Sequence, residues 1–178
     1  MTTIINYFAN HWGGGSQWSI TNVENITSKI NPAETVLDIG CGYNPFKEFI
    51  GDRLYAFDPA ISAGDEMCTV EDFNPKGKQW DVVLCMGSIN FGLEKEISAQ
   101  IKKVVSCVKP GGRIYWRQNP GQADHGNEEC KLVNFFPWTL KHNLKFAAEN
   151  SCYVIDFEID PHVNNFEKQR LYAEWIKN

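Results

Sequence analysis

Two carboxylates and a pair of glycines stand where the chain could hold a charged ligand. Asp38 precedes Gly40 and Gly42 at the end of a short apolar run, and Asp58 ends a second apolar run sixteen residues after Gly42. Glycine lets the backbone come close to a ligand and expose its N–H groups. In a unit that consists of a strand, a glycine turn, a helix and a second strand, a carboxylate at the end of the second strand can accept hydrogen bonds from both hydroxyls of a ribose. These residues therefore predict a site for an adenosine-containing ligand.

The residues around Gly42 indicate which adenosine ligand fits. A dinucleotide fingerprint has a third glycine at the position where this chain has Pro45. Asp38 would repel a pyrophosphate, whereas it suits the ammonium group of a methionine moiety, and nearby negative charge also suits a sulfonium. An oxidoreductase that binds an adenine dinucleotide is the weaker alternative.

Seven strands and four helices are predicted to position these residues. Apolar and β-branched runs bounded by glycine or proline indicate the strands, and apolar residues at spacings of three and four indicate the helices. The predicted strands are 35–39, 54–58, 66–70, 80–87, 113–117, 153–159 and 169–177. The predicted helices are 18–30, 44–51 with Asn44 as its N-cap, 97–108, and a segment opened by Pro137 with Leu140, Leu144, Ala147 and Ala148 on its apolar side.

This alternation of strands and helices predicts an α/β fold, a three-layer Rossmann-like open sheet that is mostly parallel. The last two predicted strands are joined by about nine residues, too few for a helical crossover, so we expect them to form an antiparallel hairpin. We expect one domain over 1–178, with an N-terminal lid or helix over 1–30 and a Rossmann-like core over 31–178. Ligands of such sheets bind beyond the carboxyl ends of the strands, where the two acids would lie.

Composition limits the classes of protein that fit. The 178 residues are 43% hydrophobic and 22% charged, which is typical of a globular chain, and the formal net charge of −5 argues against broad nucleic-acid binding. The longest apolar runs are too short to cross a membrane, and the N-terminus does not resemble a secretion signal, so we expect a cytoplasmic protein. The six cysteines contain no close pair, which predicts buried reduced thiols and no metal site.

Four ordered motifs resemble those of the seven-stranded class I S-adenosylmethionine-dependent methyltransferases, and the resemblance covers about residues 34–117. They are Val36-Leu-Asp-Ile-Gly-Cys-Gly42, Tyr55-Ala-Phe-Asp-Pro59, Trp80-Asp-Val-Val-Leu-Cys-Met-Gly-Ser88 and Val108-Lys-Pro-Gly-Gly-Arg-Ile114. The resemblance implies S-adenosyl-L-methionine as the cofactor and S-adenosyl-L-homocysteine as the product.

Carried over residue by residue, the resemblance assigns the cofactor's contacts. Asp38, Gly40 and Gly42 would hold the methionine end, Asp58 would hold the ribose, and Met86 and Gly87 would line the sulfonium side. Cys41 and Pro59 belong to the same motifs and are included among the cofactor-binding residues. Many relatives place an acid after the third strand to meet the adenine; Thr69 occupies that position here, which leaves Val70, Glu71 and Asp72 as candidates.

Methyl transfer from a sulfonium chiefly requires alignment and exclusion of water, although an oxygen or nitrogen acceptor can need a base. His125, in the long connection 118–136, is the first candidate for that base. His11 is the second, because in related enzymes the N-terminal segment often closes over cofactor and substrate. Tyr43 is the third candidate for the catalytic region, as a wall of the acceptor pocket. Further candidates for that wall are Phe91, Trp116 and Trp138.

The absence of two motifs limits the chemical class of the methyl acceptor. Ser88-Ile-Asn-Phe91 replaces the Asp/Asn-Pro-Pro-aromatic motif of amino-methylating DNA enzymes, and no proline precedes any cysteine, as a cytosine-methylating nucleophile would require. We therefore expect a small-molecule acceptor, with a protein or RNA acceptor as the other possibility. The alternative function is a catalytically silent S-adenosylmethionine-binding subunit or regulator. The oligomeric state is not predicted.

Overall fold

A six-stranded sheet forms the centre of the fold. The computed structural model describes residues 3–14, 18–121, 128–162 and 165–178. The strands are β1 (Val36–Ile39), β2 (Leu54–Phe57), β3 (Trp80–Met86), β4 (Val108–Gln118), β5 (Cys152–His162) and β6 (Asn165–Lys177). Their order is β2-β1-β3-β4-β6-β5, with β1 to β4 parallel and β6 antiparallel to both of its neighbours. The Rossmann-like α/β class and the antiparallel hairpin are confirmed.

The predicted strand 66–70 is wrong, so the sheet has six strands rather than seven. Glu66 forms an isolated bridge with Phe57, and the chain then turns. The Thr69 hydroxyl donates to the Asp72 carboxylate at 2.9 Å and accepts from the Asp72 backbone N–H at 3.2 Å. Such local side-chain bonds compete with the pairing that a strand needs.

Helices cover both faces of the sheet. The helices are α1 (Thr3–Asn10), α2 (Val23–Ser28), α3 (Lys47–Ile50), α4 (Glu94–Ser106) and α5 (Leu140–Glu149), and α2 to α5 are the ones that cover the sheet. One apolar cluster joins α4 and α5 to one face of the sheet, and a second joins α2 and α3 to the other face. Because helices cover both faces of the sheet, every residue of β1 and all but one residue of β3 are buried.

Two predicted helices begin later than expected. The helix predicted over 18–30 is limited to α2, because the Asn22 side chain accepts from the Asn25 backbone N–H and so caps its start. The helix predicted over 44–51 is limited to α3, because Asn44 has a φ of 57° and lies in a turn instead of capping a helix. Gly51 has a φ of 66° just after α3, as its predicted terminating role requires.

The predicted apolar side of α5 is wrong in part. The helix starts after Thr139, whose hydroxyl accepts from the His142 backbone N–H, rather than at Pro137. Leu140 and Leu144 are exposed, whereas the buried positions are Asn143, Phe146 and Ala147. Asn143 is tolerated there because its amide bonds to Gln118 and to the Trp175 indole.

Three further properties concern the described part of the chain. All six cysteines are free, and five are buried. Within residues 3–14, 18–121, 128–162 and 165–178, no helix combines the length and apolar character that crossing a bilayer requires. In the same ranges, no group of three or more His, Cys, Asp or Glu side chains is placed to hold a metal ion.

Candidate functional site

A cavity of about 690 Å³ lies at the carboxyl edge of the parallel strands. This volume is within the range of about 300 to 1,000 Å³ that is typical of small-molecule sites. Residues at or next to the ends of β1 to β4, Arg170 of β6 and residues of the N-terminal segment line it. The cavity is therefore at the place where sheets of this kind bind their ligands.

The turn after β1 forms a backbone elbow against β2. Gly40 and Gly42 have φ values of 70° and 55°, which favour glycine. The N–H groups of Gly40 and Cys41 both donate to the Phe57 carbonyl, at 2.9 and 3.1 Å. These N–H groups thus fasten the elbow to β2 rather than pointing at a ligand. The absence of a side chain at Gly40 makes room for Ser88, because a Cβ at Gly40 would lie only 2.4 Å from the Ser88 Cβ.

Asp58 anchors the same elbow from the end of β2. Its Oδ2 accepts from the Gly42 N–H at 2.9 Å, and its Oδ1 accepts from the N–H groups of Ala60 and Ile61 at 2.8 and 2.9 Å. A carboxylate offers about four acceptor positions, so these bonds leave about one for a ligand hydroxyl. Asp58 lines the cavity and is almost fully buried.

Asp38 is the less satisfied of the two acids. Its side chain lines the cavity and is only 1% exposed, and its Oδ2 has no hydrogen-bond partner among the described residues. Burial raises the pKa of Asp38 to about 7; the Asp58 carboxylate adds to the increase, and Arg117 opposes it. A buried, unsatisfied carboxyl oxygen is a costly feature, and a cationic ligand would relieve it.

Positive charge lies on the other side of the cavity. Arg117, near the end of β4, donates from Nη2 to the Met86 carbonyl at 2.6 Å. Arg170, on β6, is buried and packs over the Trp18 ring at 4.8 Å from its centre. Both arginines line the cavity. Burial lowers the pKa of Arg117 to about 10, with the Arg170 charge adding to the decrease and Asp160 and Asp38 opposing it.

The N-terminal segment covers the elbow with aromatic rings. Trp12 stacks on Tyr43 at a centroid distance of 5.6 Å, and Phe8 contacts both Trp12 and Phe91 edge-on. A Cβ at Gly42 would lie 3.0 Å from the Trp12 ring. Trp12, Tyr43, Phe8 and Phe91 line the cavity, so this row of rings forms its outer wall.

The predicted cofactor residues mostly meet at this cavity. Those that line it are Asp38, Gly40, Cys41, Gly42, Asp58, Pro59, Met86 and Gly87. Val70 and Glu71 are not brought there. Val70 is buried in the core cluster beside α4, and the Glu71 carboxylate accepts from Gln100 at 2.7 Å. Their displacement has the same cause as the missing strand, namely the turn that Thr69 starts.

Only some of the residues predicted to line the acceptor pocket or to act as a base lie at the cavity. Tyr43 and Phe91 line the cavity, whereas Trp116 and Trp138 are fully buried in the core. His11 is not among the described residues that line the cavity; its Nδ1 lies 3.8 Å from the Glu129 carboxylate, and its ring stacks on Tyr7. His125 lies outside the described residues.

Sequence reasoning missed several polar side chains of the site. They are Ser88, Asn90, Arg117, Asn119 and Arg170. Asn90 links two strand ends, because its Nδ2 donates to the Arg117 carbonyl and its Oδ1 accepts from the Asn119 N–H. The signal that could have found Arg117 is the one that found Asp38, a charged residue at the carboxyl end of a buried strand. Arg170 carries no such signal.

The fold is similar to that of solved methyltransferases. One is the magnesium protoporphyrin IX methyltransferase from Synechocystis PCC 6803 with bound S-adenosylhomocysteine (TM-score 0.73, 14% identity, 98% of this chain and 98% of that chain covered). Another is the N-methyltransferase NodS from Bradyrhizobium japonicum WM9 in complex with S-adenosylhomocysteine (TM-score 0.71, 11% identity, 99% of both chains covered).

A third similar structure contains an acceptor. It is the 1,6-didemethyltoxoflavin-N1-methyltransferase from Burkholderia thailandensis with bound 1,6-didemethyltoxoflavin and S-adenosylhomocysteine (TM-score 0.65, 14% identity, 82% of this chain and 71% of that chain covered). No protein-family model matches the chain, and no curated protein sequence matches it. The chain therefore has the fold of S-adenosylmethionine-dependent methyltransferases.

Proposed function

We propose that this protein is an S-adenosylmethionine-dependent methyltransferase that acts on a small-molecule acceptor. The observation that carries the proposal is the Asp38 Oδ2, which has no hydrogen-bond partner among the described residues and belongs to a side chain that lines the same cavity as the glycine elbow after β1. Burying a carboxyl group without a partner is unfavourable unless a ligand supplies one. The amino group of a methionine moiety would be that partner.

The residues at the acidic side of the cavity fit this cofactor. Asp38 would accept from its amino group, and Asp58 would accept from a ribose hydroxyl through its remaining acceptor position. Ser88 offers a second buried oxygen without a hydrogen-bond partner among the described residues. Gly40 and Gly42 carry no side chains of their own, which leaves room at the elbow for Ser88 and the Trp12 ring. When bound, the cofactor supplies a methyl group already activated by a sulfonium.

The remaining work of the protein is positioning and exclusion of water. The row of rings formed by Phe8, Trp12, Tyr43 and Phe91 covers the cavity from outside. Such a wall removes competing water from an in-line displacement and favours a flat or apolar acceptor. A total volume of about 690 Å³ for both ligands supports a small acceptor. His125 remains the proposed base where the acceptor atom must lose a proton.

The domain division is part of the same proposal. The whole chain would act as one methyltransferase domain, with residues 31–178 as the core that binds the cofactor and residues 1–30 as a lid. The contacts of Trp12 with Tyr43 and of Phe8 with Phe91 support the lid.

Calorimetry and a transfer assay test the proposal. The protein is titrated separately with S-adenosylmethionine, S-adenosylhomocysteine and NAD; binding of the first two supports the assignment, and binding of NAD alone overturns it. Isotope-labelled S-adenosylmethionine is then incubated with the protein and with metabolite, protein or RNA pools. Label in a small molecule supports the proposed acceptor class. Binding without transfer to any pool would instead favour a silent S-adenosylmethionine-binding subunit.

A further inference from the structure

The charged residues that line the cavity are separated by sign along the sheet. Among the described lining residues, the acids are Asp38 and Asp58 and the bases are Arg117 and Arg170. The sheet order β2-β1-β3-β4-β6 places Asp58 and Asp38 at the first two strands and the arginines at the last two. β3, which ends at Met86, lies between the two groups. The cavity therefore has an acidic end and a basic end.

The basic end is built by two adjacent antiparallel strands. Gln118 pairs with Leu171 across β4 and β6, so Arg117 and Arg170 flank that pair on neighbouring strands. Arg117 is held by the Met86 carbonyl, and Arg170 is held by the Trp18 ring. These contacts fix where the two guanidinium groups lie, close enough for the charge of Arg170 to lower the pKa of Arg117.

Asp160 balances part of this charge. It pairs with Arg170 across β5 and β6, and its carboxylate accepts five hydrogen bonds from the backbone and hydroxyl groups of residues 19–21. Among the described residues that line the cavity, this end carries the two guanidinium groups and no carboxylate. Burying two like charges side by side is unfavourable, and an anion placed at this end would offset that repulsion.

We propose that the acceptor carries a carboxylate or phosphate group that binds at Arg117 and Arg170. The planar guanidinium fork matches the geometry of both anions. The inference rests on the proposed function, because it assigns the cationic cofactor to the acidic end and the acceptor to the basic end. The acceptor's reacting atom would then face the middle of the cavity, above Met86 and Gly87.

The cofactor's own carboxylate is the other anion that could reach this end. Neighbouring strands lie about 4.8 Å apart, which puts β4 about 10 Å and β6 about 14 Å from β1, the strand of Asp38. A carboxylate next to an amino group bound at Asp38 could approach the long Arg117 side chain, but Arg170 stands one strand further away. Arg170 is therefore the residue that distinguishes the two sources.

The test uses two anions and one neutral probe on protein saturated with S-adenosylhomocysteine. Benzoate, inorganic phosphate and benzamide are titrated, and their dissociation constants are measured by ligand-detected NMR. We expect one or both anions to bind and benzamide to bind at least tenfold more weakly than benzoate. Arg170→Gln should weaken anion binding at least tenfold while S-adenosylhomocysteine affinity stays within twofold. Arg170→Lys, which keeps the charge without the fork, should give an intermediate loss.

Arg113→Gln is the matched control. Arg113 is on the same strand β4, is partly buried and bonds to Glu34 at the opposite edge of the sheet, so its removal should leave anion binding unchanged. The proposal is overturned if neither anion binds, if Arg170→Gln and Arg170→Lys bind the anions as the wild type does, or if Arg170→Gln loses S-adenosylhomocysteine affinity as strongly as anion affinity. Failure of the wild type to bind S-adenosylhomocysteine would reject the proposed function instead, and anion binding to the ligand-free protein would still test Arg170.

Discussion

The acidic and basic ends of the cavity hold their charges in different ways. At the acidic end, three backbone N–H groups stabilise Asp58, while Asp38 Oδ2 stays unsatisfied within the described structure. At the basic end, the arginines are held by a carbonyl and by an aromatic ring, with Asp160 as a nearby acid. Asp58 and the arginines thus have supporting contacts in the protein, and Asp38 is the group most dependent on a ligand.

This difference separates residues that build the site from residues that the ligand must satisfy. Asp58 ties the glycine elbow to β2, so its loss affects both the loop and the ligand. The Asp38 Oδ2 stabilises the protein only when a bound ligand supplies a hydrogen-bond donor to it.

Asp38→Asn should have the largest effect on cofactor binding. Loss of a charged hydrogen bond to the amino group is expected to weaken S-adenosylhomocysteine binding by about 1.5 to 3 kcal/mol. The same substitution should raise the melting temperature of the ligand-free protein above pH 7, because a neutral amide replaces a buried ionised group. Calorimetry and thermal unfolding measure the two changes. Weaker binding together with lower stability would contradict this description of Asp38.

Asp58→Ala should weaken the cofactor by about 1 to 3 kcal/mol and also lower stability, since the N–H groups of Gly42, Ala60 and Ile61 lose their acceptor. Asp65→Ala is the matched control: Asp65 also accepts a backbone N–H, that of Ala56, but it is exposed and does not line the cavity. It should lower stability without changing S-adenosylhomocysteine affinity. Equal affinity losses in both variants would remove Asp58 from the binding site.

The pH dependence should have opposite signs for binding and stability. The pKa of Asp38 is raised from 3.8 to about 7 in the folded protein, so its contribution to stability is fully present below the unfolded pKa and is lost as the pH rises through about 7. Binding of an ammonium group needs the ionised carboxylate, so affinity should increase roughly eightfold between pH 6 and 7.5. Asp38→Asn should flatten both profiles. A wild-type affinity that falls over this range would contradict the assignment.

Gly42→Ala should have the smallest effect, and it separates backbone strain from the lid contact. Gly42 and Gly77 both have positive φ, and a Cβ would meet the Trp12 ring at Gly42 but open space at Gly77. Both alanine variants should lose about 1 kcal/mol of stability. The Gly42 variant alone should change Trp fluorescence and weaken S-adenosylhomocysteine binding, about threefold. The same fluorescence change in Gly77→Ala would show that Trp12 does not report on the elbow.

The fold could be predicted where local patterns and tertiary packing agree. β1 and β3 are apolar because helices cover both faces, and that apolar character is visible in the sequence. The strand predicted over 66–70 failed because the Thr69 hydroxyl forms a local turn with Asp72, and a weak β pattern did not outweigh it. The predicted apolar side of α5 was wrong in part because Asn143 is buried. Its side chain bonds to Gln118 on β4 and Trp175 on β6, and the spacing of apolar residues in a helix does not reveal such partners.

The acidic end of the site was predictable from the sequence, and so was Arg117 at the end of a buried strand, but Arg170 was not. Asp38 and Asp58 lie at the ends of parallel strands, next to glycine or proline. These neighbouring residues indicate a turn, so the position of each acid can be predicted from the local sequence. Arg170 reaches the same edge because β6 runs antiparallel, which brings Leu171, near the middle of that strand, beside Gln118 at the end of β4. Its role depends on pairing between distant parts of the chain, and such pairing leaves no local pattern.

The decisive measurement is a crystal structure of the protein grown with S-adenosylhomocysteine. We expect density for the amino group within hydrogen-bonding distance of Asp38 Oδ2, a ribose hydroxyl at Asp58, and space remaining beside Arg170. A nucleoside bound with its amino acid end at Arg170, or a ligand that leaves Asp38 without a partner, would contradict it.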